Sequence, residues 1–157
     1  MSTDDPEATA FRRARRNLPH ACEANAGYMV TWRLRQELSP LTGPERQLVC
    51  EVLNHFDSER YRLGAYVVMD DHVHVIAQPS ADWSLSSILH SWKSYSANRL
   101  QRFHGRSGSV WQDESYDRVL RDARDLEEKS RYILANPMRR WPGTVDYPHM
   151  GWGSLHR

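Results

Sequence analysis

The sequence predicts an α+β protein with a ferredoxin-like arrangement, in which helices cover one face of an antiparallel sheet. Its 157 residues fit one domain that is long enough to enclose a core. Segments rich in β-forming residues alternate with segments whose apolar residues recur at helical spacing. The resulting order is strand, helix, strand, strand, helix, strand, helix, which is the order that places helices on an antiparallel sheet.

The first half of this order contains three strands and a helix. Residues 27–34 are mostly β-forming and predict a first strand. Apolar residues recur at helical spacing over 45–56, which predicts a helix. Residues 61–70 and 72–78 predict two further strands, because a tight turn or bulge at Asp70-Asp71 separates them.

The second half of the order is read from one long periodic segment and several shorter ones. Residues 85–103 have a continuous apolar face and predict a long helix. After a glycine-containing connection, residues 110–112 and 116–120 predict short extended segments. A last helix starts near residue 122 and is expected to end at Asn136-Pro137, because proline interrupts helices.

Composition places the chain among ordinary soluble globular proteins, with 39% hydrophobic and 26% charged residues. No apolar stretch approaches the roughly 20 residues of a membrane span, and the acidic, polar start is unlike a secretory signal. We expect a disordered segment over 1–10, a domain over 11–141 and a tail over 142–157 that packs on the domain. Cys22 and Cys50 lack metal-ligand spacing and are expected to be free thiols in a reducing cytoplasm.

The motif His72-Val73-His74 lies within an apolar run. On a strand, residues i and i+2 point to the same face, so the two imidazoles stand side by side and form a two-point chelate for a divalent metal. The alternative is a polar pair on an exposed strand face. The chain has eight histidines, and such a pair also arises by chance, so the pair needs further partners to indicate a site.

Candidate partners lie on the last predicted helix, where Tyr132 and Asn136 are four residues apart and share a face. A phenol with a pKa of about 10 is a poor nucleophile, but it becomes useful when a metal polarises its target. The Asn136 carbonyl oxygen could complete a mixed nitrogen and oxygen ligand set of the kind that suits Mg²⁺ or Mn²⁺. The alternatives are an amphipathic filler for Tyr132 and a helix C-terminal residue for Asn136. Tyr116 is a rival nucleophile that lacks an Asn four residues later.

Seven segments between about residues 11 and 141 form a pattern around the histidine pair and the tyrosine. They are RNLPH at 16–20, YMVTWRL at 28–34, VVMDDHVHVI at 67–76, WKSY at 92–95, VWQDESYDR at 110–118, LRDARDL at 120–126 and RYILANP at 131–137. In order and spacing these segments resemble the single-tyrosine HUH transposases of bacterial insertion sequences. The last segment is especially similar to the REP-associated tyrosine transposases.

This resemblance implies the HUH nuclease/transposase fold and a metal-dependent reaction on DNA. It implies that His72 and His74 bind a divalent metal, Mg²⁺ or Mn²⁺, and that Asn136 completes the site. Tyr132 would attack a DNA phosphodiester, form a covalent 5′-phosphotyrosine and leave a free 3′-OH, and a later attack by a 3′-OH would rejoin strands. The implied substrate is single-stranded DNA next to an imperfect hairpin.

The sequence departs from the resembled family at Asp70-Asp71, where Pro-Asn is commoner before the histidine pair. A carboxylate beside a metal-binding histidine can make an outer-shell contact, which we consider for Asp71.

Contacts with single-stranded DNA are expected from Arg and aromatic side chains acting together. The net charge of only +1 decides nothing, and a solvated surface with interspersed acidic residues is the alternative. For the tryptophans and Tyr95, the alternative is a place in the core or an interface. The candidate DNA contacts are Arg12, Arg13, Arg15, Arg16, Lys93, Arg99, Arg102, Trp111 and Arg118.

The leading expectation is therefore a transposase that cleaves and rejoins hairpin-flanking DNA in the bacterial cytoplasm, associated with the nucleoid and not with a membrane. One alternative is a domesticated hairpin-binding protein without transposition activity. Another is a small metal-dependent enzyme unrelated to DNA. The protein is expected to be a homodimer or a monomer, with Tyr132 acting in trans or in cis.

Overall fold

A computed structural model describes residues 26–157 of the chain. One sheet contains five strands, and every pairing within it is antiparallel. The strands are β1 (Gly27–Leu34), β2 (Tyr61–Val68), β3 (His72–Pro79), β4 (Trp111–Leu120) and β5 (Met150–Trp152). Their order across the sheet is β4-β1-β3-β2-β5, so β3 is central and has a partner on both sides.

Four α-helices accompany the sheet in the described part of the chain: α1 (Gly43–His55), α2 (Leu85–His104), α3 (Ala123–Leu134) and α4 (Asn136–Arg140). The α+β fold class and the order of the main elements are confirmed. None of the described helices is long and apolar enough to cross a membrane.

Both faces of the sheet are buried, because apolar residues occupy alternate positions of the strands on each side. Trp32, Val73 and their neighbours form a core with α1 and α2. Met29 and Ile76 form a second core on the opposite face, together with Ile133 of α3. The expectation that all helices share one face is therefore corrected for α3, which covers the second apolar face.

A register shift in β2 changes which residues of this strand face each core. Leu63 packs in the core with α1 and α2, whereas Ala65 packs in the core with α3, and the pairing with β3 shifts between Leu63 and Tyr66. At Gly64, a Cβ atom would lie 2.7 Å from Cγ2 of Ile76. The close approach of β2 to β3 at this position thus requires glycine.

Two boundaries differ from the sequence-based expectation. β4 is one continuous strand, because its middle residues remain paired with β1, as in the Trp32 and Ser115 pair. Pro137 does not end the helical region but lies in the first turn of α4, where a residue without an N–H group is tolerated. A new helix consequently begins one residue after the α3 C-cap.

The chain beyond α4 packs against the edge of the sheet. Met150–Trp152 pairs with β2 as strand β5. The carboxylate of Asp57 then accepts hydrogen bonds from the backbone N–H of Ser154 at 2.9 Å and from the Arg157 guanidinium at 3.2 Å. Cys50 is a free, buried thiol, whereas Cys22 and residues 1–10 lie outside the described residues.

A buried ion pair ties the start of α1 to the end of α2. The Glu45 carboxylate accepts hydrogen bonds from Nε of Arg106 at 2.7 Å and from Nη2 at 2.8 Å. It also caps α1 by accepting from the Thr42 N–H at 2.9 Å. The Arg106 hydrogen bonds are the main cause that lowers the pKa of Glu45 to about 2.

The Glu45→Gln variant is expected to lose about 3 kcal/mol of unfolding free energy at neutral pH, because Arg106 stays buried without its counter-charge. The folded pKa of Glu45 lies below its ordinary value of 4.5, so its contribution is present above that pH and is lost as the pH falls towards about 2. Urea unfolding at neutral pH and at about pH 3 measures both effects, and the variant should show the weaker pH dependence.

The matched control is Glu51→Gln, which changes an exposed carboxylate on the same helix and should cost less than about 0.5 kcal/mol. Equal losses of unfolding free energy in the two variants would show that the ion pair with Arg106 stabilises the fold no more than an exposed carboxylate does.

Candidate active site

The histidine pair lies on the central strand β3, on the face that carries α3. Val73 and Val75 point into the core on the other face, so strand alternation directs His72 and His74 to the α3 side. Each histidine is only 7% exposed. The centres of their rings are 4.7 Å apart. The predicted side-by-side arrangement of two imidazoles is present.

The Nδ1 atom of each ring is held by an oxygen. The Thr31 hydroxyl, directly across the strand pair from His74, shares a 2.7 Å hydrogen bond with His74 Nδ1. His72 Nδ1 donates to the Asp71 carboxylate over the same distance, 2.7 Å. Oxygen partners of this kind orient metal-binding histidines and leave Nε2 as the ligand atom. The hydrogen bond to His72 that an outer-shell role of Asp71 would require is present, and the metal-binding role stays a prediction.

Tyr132 meets the histidine pair within one chain. The centre of its ring lies 5.8 Å from the centre of the His74 ring. The residue is 44% exposed, so its phenol is accessible from outside. Cζ of Arg139 lies 4.1 Å from the centre of the Tyr132 ring, and Nη2 of Arg139 donates to the Tyr132 carbonyl at 2.9 Å. Arg139 therefore supports both the ring and the backbone of Tyr132.

Asn136, the predicted third ligand, is the first residue of α4 and is 9% exposed. Its side-chain amide offers an oxygen of the kind that binds Mg²⁺ or Mn²⁺. Among residues 26–157, no group of three or more His, Cys, Asp or Glu residues forms a metal site. A third protein ligand beside the histidines would therefore have to be another residue type, and the role of Asn136 stays a prediction.

Two carboxylates and an arginine join the histidine strand to the helices of the tyrosine. Arg140 of α4 lies 3.4 Å from the Asp70 carboxylate and 3.6 Å from that of Asp71. Since Asp71 also holds His72, a chain of polar contacts connects α4 to the histidine pair. The Asp70-Asp71 pair, where the sequence departs from the resembled family, thus forms ion pairs with Arg140.

The site is electropositive apart from these carboxylates. Burial, followed by the charges of His72, Arg33 and Arg139, lowers the pKa of His74 to about 3. The imidazole of His74 is therefore neutral near neutral pH, which is the form that binds metals. Arg33 is paired in register with His72, is exposed, and forms no ion pair with any residue of the described range. An anionic ligand would be attracted to this face.

Arg33, Arg139 and Arg140 are functional candidates that sequence reasoning missed. Arg33 and Thr31 are two residues apart on β1, so the sequence could have indicated that they share a face. Only the pairing register of β1 with β3 shows that both lie opposite the histidines. The two arginines of α4 follow Asn136 directly, yet Pro137 suggested that the helical region ended there.

The structure corrects one predicted DNA contact. Trp111 was expected to stack on bases, but it is 5% exposed and its Nε1 donates to the Ser96 hydroxyl at 2.9 Å. Its ring packs edge-on against Trp32 in the core. The stacking prediction for Trp111 is therefore wrong, because this side chain fills the space between the sheet and α2.

Other predicted DNA contacts hold β4 in place. Lys93 is half-buried and donates to the Gln112 carbonyl at 2.7 Å. Arg118 lies 3.5 Å from the Asp125 carboxylate on α3.

Arg99 packs against two aromatic rings of α2, and Arg102 is exposed on the same helix, on the other side of the sheet from the histidines. Their DNA roles stay predictions. The basic arm, Arg12, Arg13, Arg15 and Arg16, lies outside the described residues.

The sheet is ferredoxin-like and presents a histidine pair to a tyrosine on a helix. Comparison with known proteins shows which family has this sequence and fold. Residues 23–136 match the family described as IS200-like transposases, and the chain belongs to that family. Its fold is similar to that of a REP-associated tyrosine transposase solved in complex with a REP hairpin. The TM-score is 0.65, the sequences are 23% identical, and the match covers 82% of this chain and 77% of the other. No curated protein matches the sequence.

We expect the His74 imidazole of the metal-free, full-length chain to remain neutral until the pH approaches about 3, because burial and neighbouring positive charges disfavour its protonated form. Nitrogen-15 NMR of the imidazole groups across a pH titration measures this, with His74→Gln identifying the His74 signals. A His74 midpoint close to the ordinary histidine value of about 6.5 would contradict the buried, cation-flanked environment.

Proposed function

We propose that this transposase cleaves and rejoins single-stranded DNA beside hairpins, with Tyr132 as nucleophile and His72, His74 and Asn136 as ligands of a divalent metal. The proposal rests on the contact between the Tyr132 and His74 rings, whose centres lie 5.8 Å apart in one chain. This contact supports a site assembled in cis, so a monomer would contain every proposed catalytic group.

The residues present fit a divalent metal. Thr31 and Asp71 occupy Nδ1 of the two histidines, which leaves Nε2 as the remaining ligand atom of each ring. The Asn136 amide, on a residue that is 9% exposed, would add an oxygen ligand. Two nitrogens and one oxygen, with open positions for phosphate oxygens, suit Mg²⁺ or Mn²⁺. A bound metal would neutralise charge that develops on the non-bridging oxygens of the phosphate.

In the proposed cleavage step, the Oη atom of Tyr132 attacks the phosphorus of a phosphodiester. The Oη–P bond forms and the bond from phosphorus to O3′ breaks, so the 5′ phosphate becomes attached to Tyr132. The phenol proton leaves to water, and the departing O3′ takes up a proton to become a hydroxyl. Attack by a 3′-OH later reverses these changes, joins two strands and frees Tyr132.

Positioning and charge are the contributions of the surrounding side chains. Arg139 restricts the Tyr132 ring, which lowers the entropic cost of aligning the nucleophile. Arg33 is exposed and lies across the strand pair from His72, where its guanidinium can bind a phosphate of the same strand. Because Tyr132 is 44% exposed, a DNA strand can reach its phenol without opening the core.

The structural neighbour supports hairpin DNA as substrate, because that protein was solved in complex with a REP hairpin. Arg33 and Arg139 favour an anionic ligand at the same face of this chain. Action on DNA would place the protein at the bacterial nucleoid. A hairpin-binding protein without strand transfer is the alternative outcome of the experiment below.

Incubation of the full-length chain with labelled hairpin-flanked single-stranded DNA and Mn²⁺ is expected to give a covalent protein–DNA adduct on a denaturing gel. Tyr132→Phe should abolish the adduct, because a phenyl ring has no attacking oxygen. Removal of the metal with a chelator should reduce the adduct by at least about 100-fold, because the phosphate charge is no longer neutralised.

Tyr116→Phe is the matched control, because Tyr116 lies on β4 on the same face of the sheet. This variant should retain the adduct, because Tyr116 is not the proposed nucleophile. A mixture of His72→Ala and Tyr132→Phe chains should stay inactive if the site is built in cis. Tight hairpin binding without an adduct under any metal would favour the binding protein over the enzyme.

The Asp71→Asn variant is expected to bind Mn²⁺ about 10- to 100-fold more weakly, because His72 loses the carboxylate that orients it. Electron paramagnetic resonance titration of free Mn²⁺ measures this affinity without reference to DNA cleavage. Asp146→Asn changes an exposed carboxylate of the tail and should leave the affinity unaltered. Unchanged binding in both Asp71→Asn and His72→Ala would exclude the histidine pair as the metal site.

A further inference from the structure

Two side-chain nitrogens converge on an open point at the N-terminus of α1. The point is the position that a Cβ atom of Gly43, the first residue of α1, would occupy. Nε2 of His149 lies 3.9 Å from it, and Nη2 of Arg46 lies 4.0 Å from it. Apart from the backbone of α1 and the chain neighbours of Gly43, no other heavy atom of the described residues lies within 4 Å of the point.

Hydrogen bonds hold both side chains in this arrangement. Nε of Arg46 donates to the Thr42 carbonyl at 3.3 Å, and its Nη1 donates to the Tyr147 hydroxyl at 3.2 Å. The ring of His149 packs edge-on against that of Tyr147, with the ring centres 5.4 Å apart. The N–H of Val68 donates to the His149 carbonyl at 2.8 Å. Groups that are already fixed lose little conformational freedom when a ligand binds.

The His149 ring presents a donor to the open point. The residue is 8% exposed, and burial, followed by the charge of Arg46, lowers the pKa of its imidazole, so the ring is neutral near neutral pH. Nδ1 is completely buried and has no hydrogen-bond partner in the described part of the chain. A buried N–H without an acceptor is rarer than a buried acceptor without a donor, which favours the tautomer with its proton on Nε2.

The backbone at the start of α1 supplies a third donor. The Glu45 N–H is already bonded to the Thr42 hydroxyl at 3.3 Å, and Pro44 has no N–H. The N–H of Gly43, at the first helical position, has no partner within the helix. The partial positive charge of the helix N-terminus reinforces this donor towards an anion.

The carboxylates of this region do not oppose an anion. Glu45, in the first turn of α1, lies 2.7 Å from Arg106. Asp70, whose charge acts on Tyr147, lies 3.4 Å from Arg140. Because both carboxylates are paired with arginines, the open point is surrounded by hydrogen-bond donors without an uncompensated negative charge from either residue.

We propose that His149, Arg46 and the Gly43 N–H form a binding site for one phosphate group, separate from the proposed active site. Phosphate oxygens accept hydrogen bonds, and an arginine beside a helix N-terminus binds them strongly. A DNA backbone phosphate and a free phosphate ion present the same oxygens, and the experiments below distinguish these two sources. The site does not depend on the chemistry proposed for Tyr132.

Titration of the metal-free, full-length chain with inorganic phosphate tests the site directly. Nitrogen-15 NMR of the imidazole groups should show a saturable shift of the His149 signals, which His149→Gln identifies. Gly43→Ala should weaken phosphate binding at least about tenfold, because its methyl group occupies the open point and removes one charge-assisted contact. This methyl group would meet no side-chain atom closer than 3.9 Å, so the variant is expected to fold like the parent.

Gly27→Ala, at the start of β1, is the matched control. Its methyl group would lie 3.6 Å from Leu120 and would meet neither His149 nor Arg46, so phosphate affinity should stay at the parental value. Arg46→Gln removes the charged donor and should weaken phosphate binding as Gly43→Ala does.

Hairpin-flanked single-stranded DNA distinguishes the two phosphate sources. The affinity of the full-length Tyr132→Phe chain is measured over a series of salt concentrations, because each phosphate contact contributes about 0.7 to 0.9 to the slope of log affinity against log salt. A DNA phosphate in the site predicts that adding Gly43→Ala lowers this slope by about that amount, whereas adding Gly27→Ala leaves it unchanged. An unchanged slope, with phosphate still shifting the His149 signals, assigns the site to the free ion.

The inference is overturned if inorganic phosphate gives no saturable His149 shift and Gly43→Ala leaves the salt slope unchanged. Equal phosphate affinity of Gly43→Ala and the parent chain would overturn it as well. Absence of the covalent adduct at Tyr132 would refute the proposed function and leave the phosphate titration unaffected.

Discussion

Side chains of β3 point alternately into the core with α1 and α2 and towards the candidate site. The other parts of the site are arranged around this alternation. Val73 and Val75 are completely buried against α1 and α2, and they leave His72 and His74 no choice but the opposite face. A slip of one residue would bury both imidazoles in the apolar core and expose the valines. Because β3 is the central strand, hydrogen bonds on both sides hold this register.

The second apolar face of the sheet brings the nucleophile candidate to the histidines. Ile133 of α3 is fully buried against that face, and its neighbour Tyr132 is thereby placed at the border between core and solvent. Arg139 and Arg140 of the following helix, α4, then contact the tyrosine on one side and the Asp70-Asp71 pair on the other. Hydrophobic burial sets the position of the helices, and polar contacts refine the geometry of the site.

Packing also explains how the fold persists at 23% identity to its structural neighbour. The two cores require apolar residues at alternating strand positions and a small residue at Gly64, conditions that many sequences meet. The polar residues of the site do not have to fill either core. The turn before the histidines can therefore carry a different pair of residues, such as Asp70-Asp71, while the sheet remains intact.

Local periodicity in the sequence was enough to predict the order of the elements, the fold class and the shared face of His72 and His74. The choice of Tyr132 also needed the family resemblance. Three features became visible only in the folded chain: α3 covers the opposite face from α1 and α2, Trp111 is buried, and Arg33 and Arg140 lie beside the histidine strand. Those outcomes depend on strand register and on contacts between residues far apart in the chain, such as Arg140 with Asp70, which no local pattern specifies.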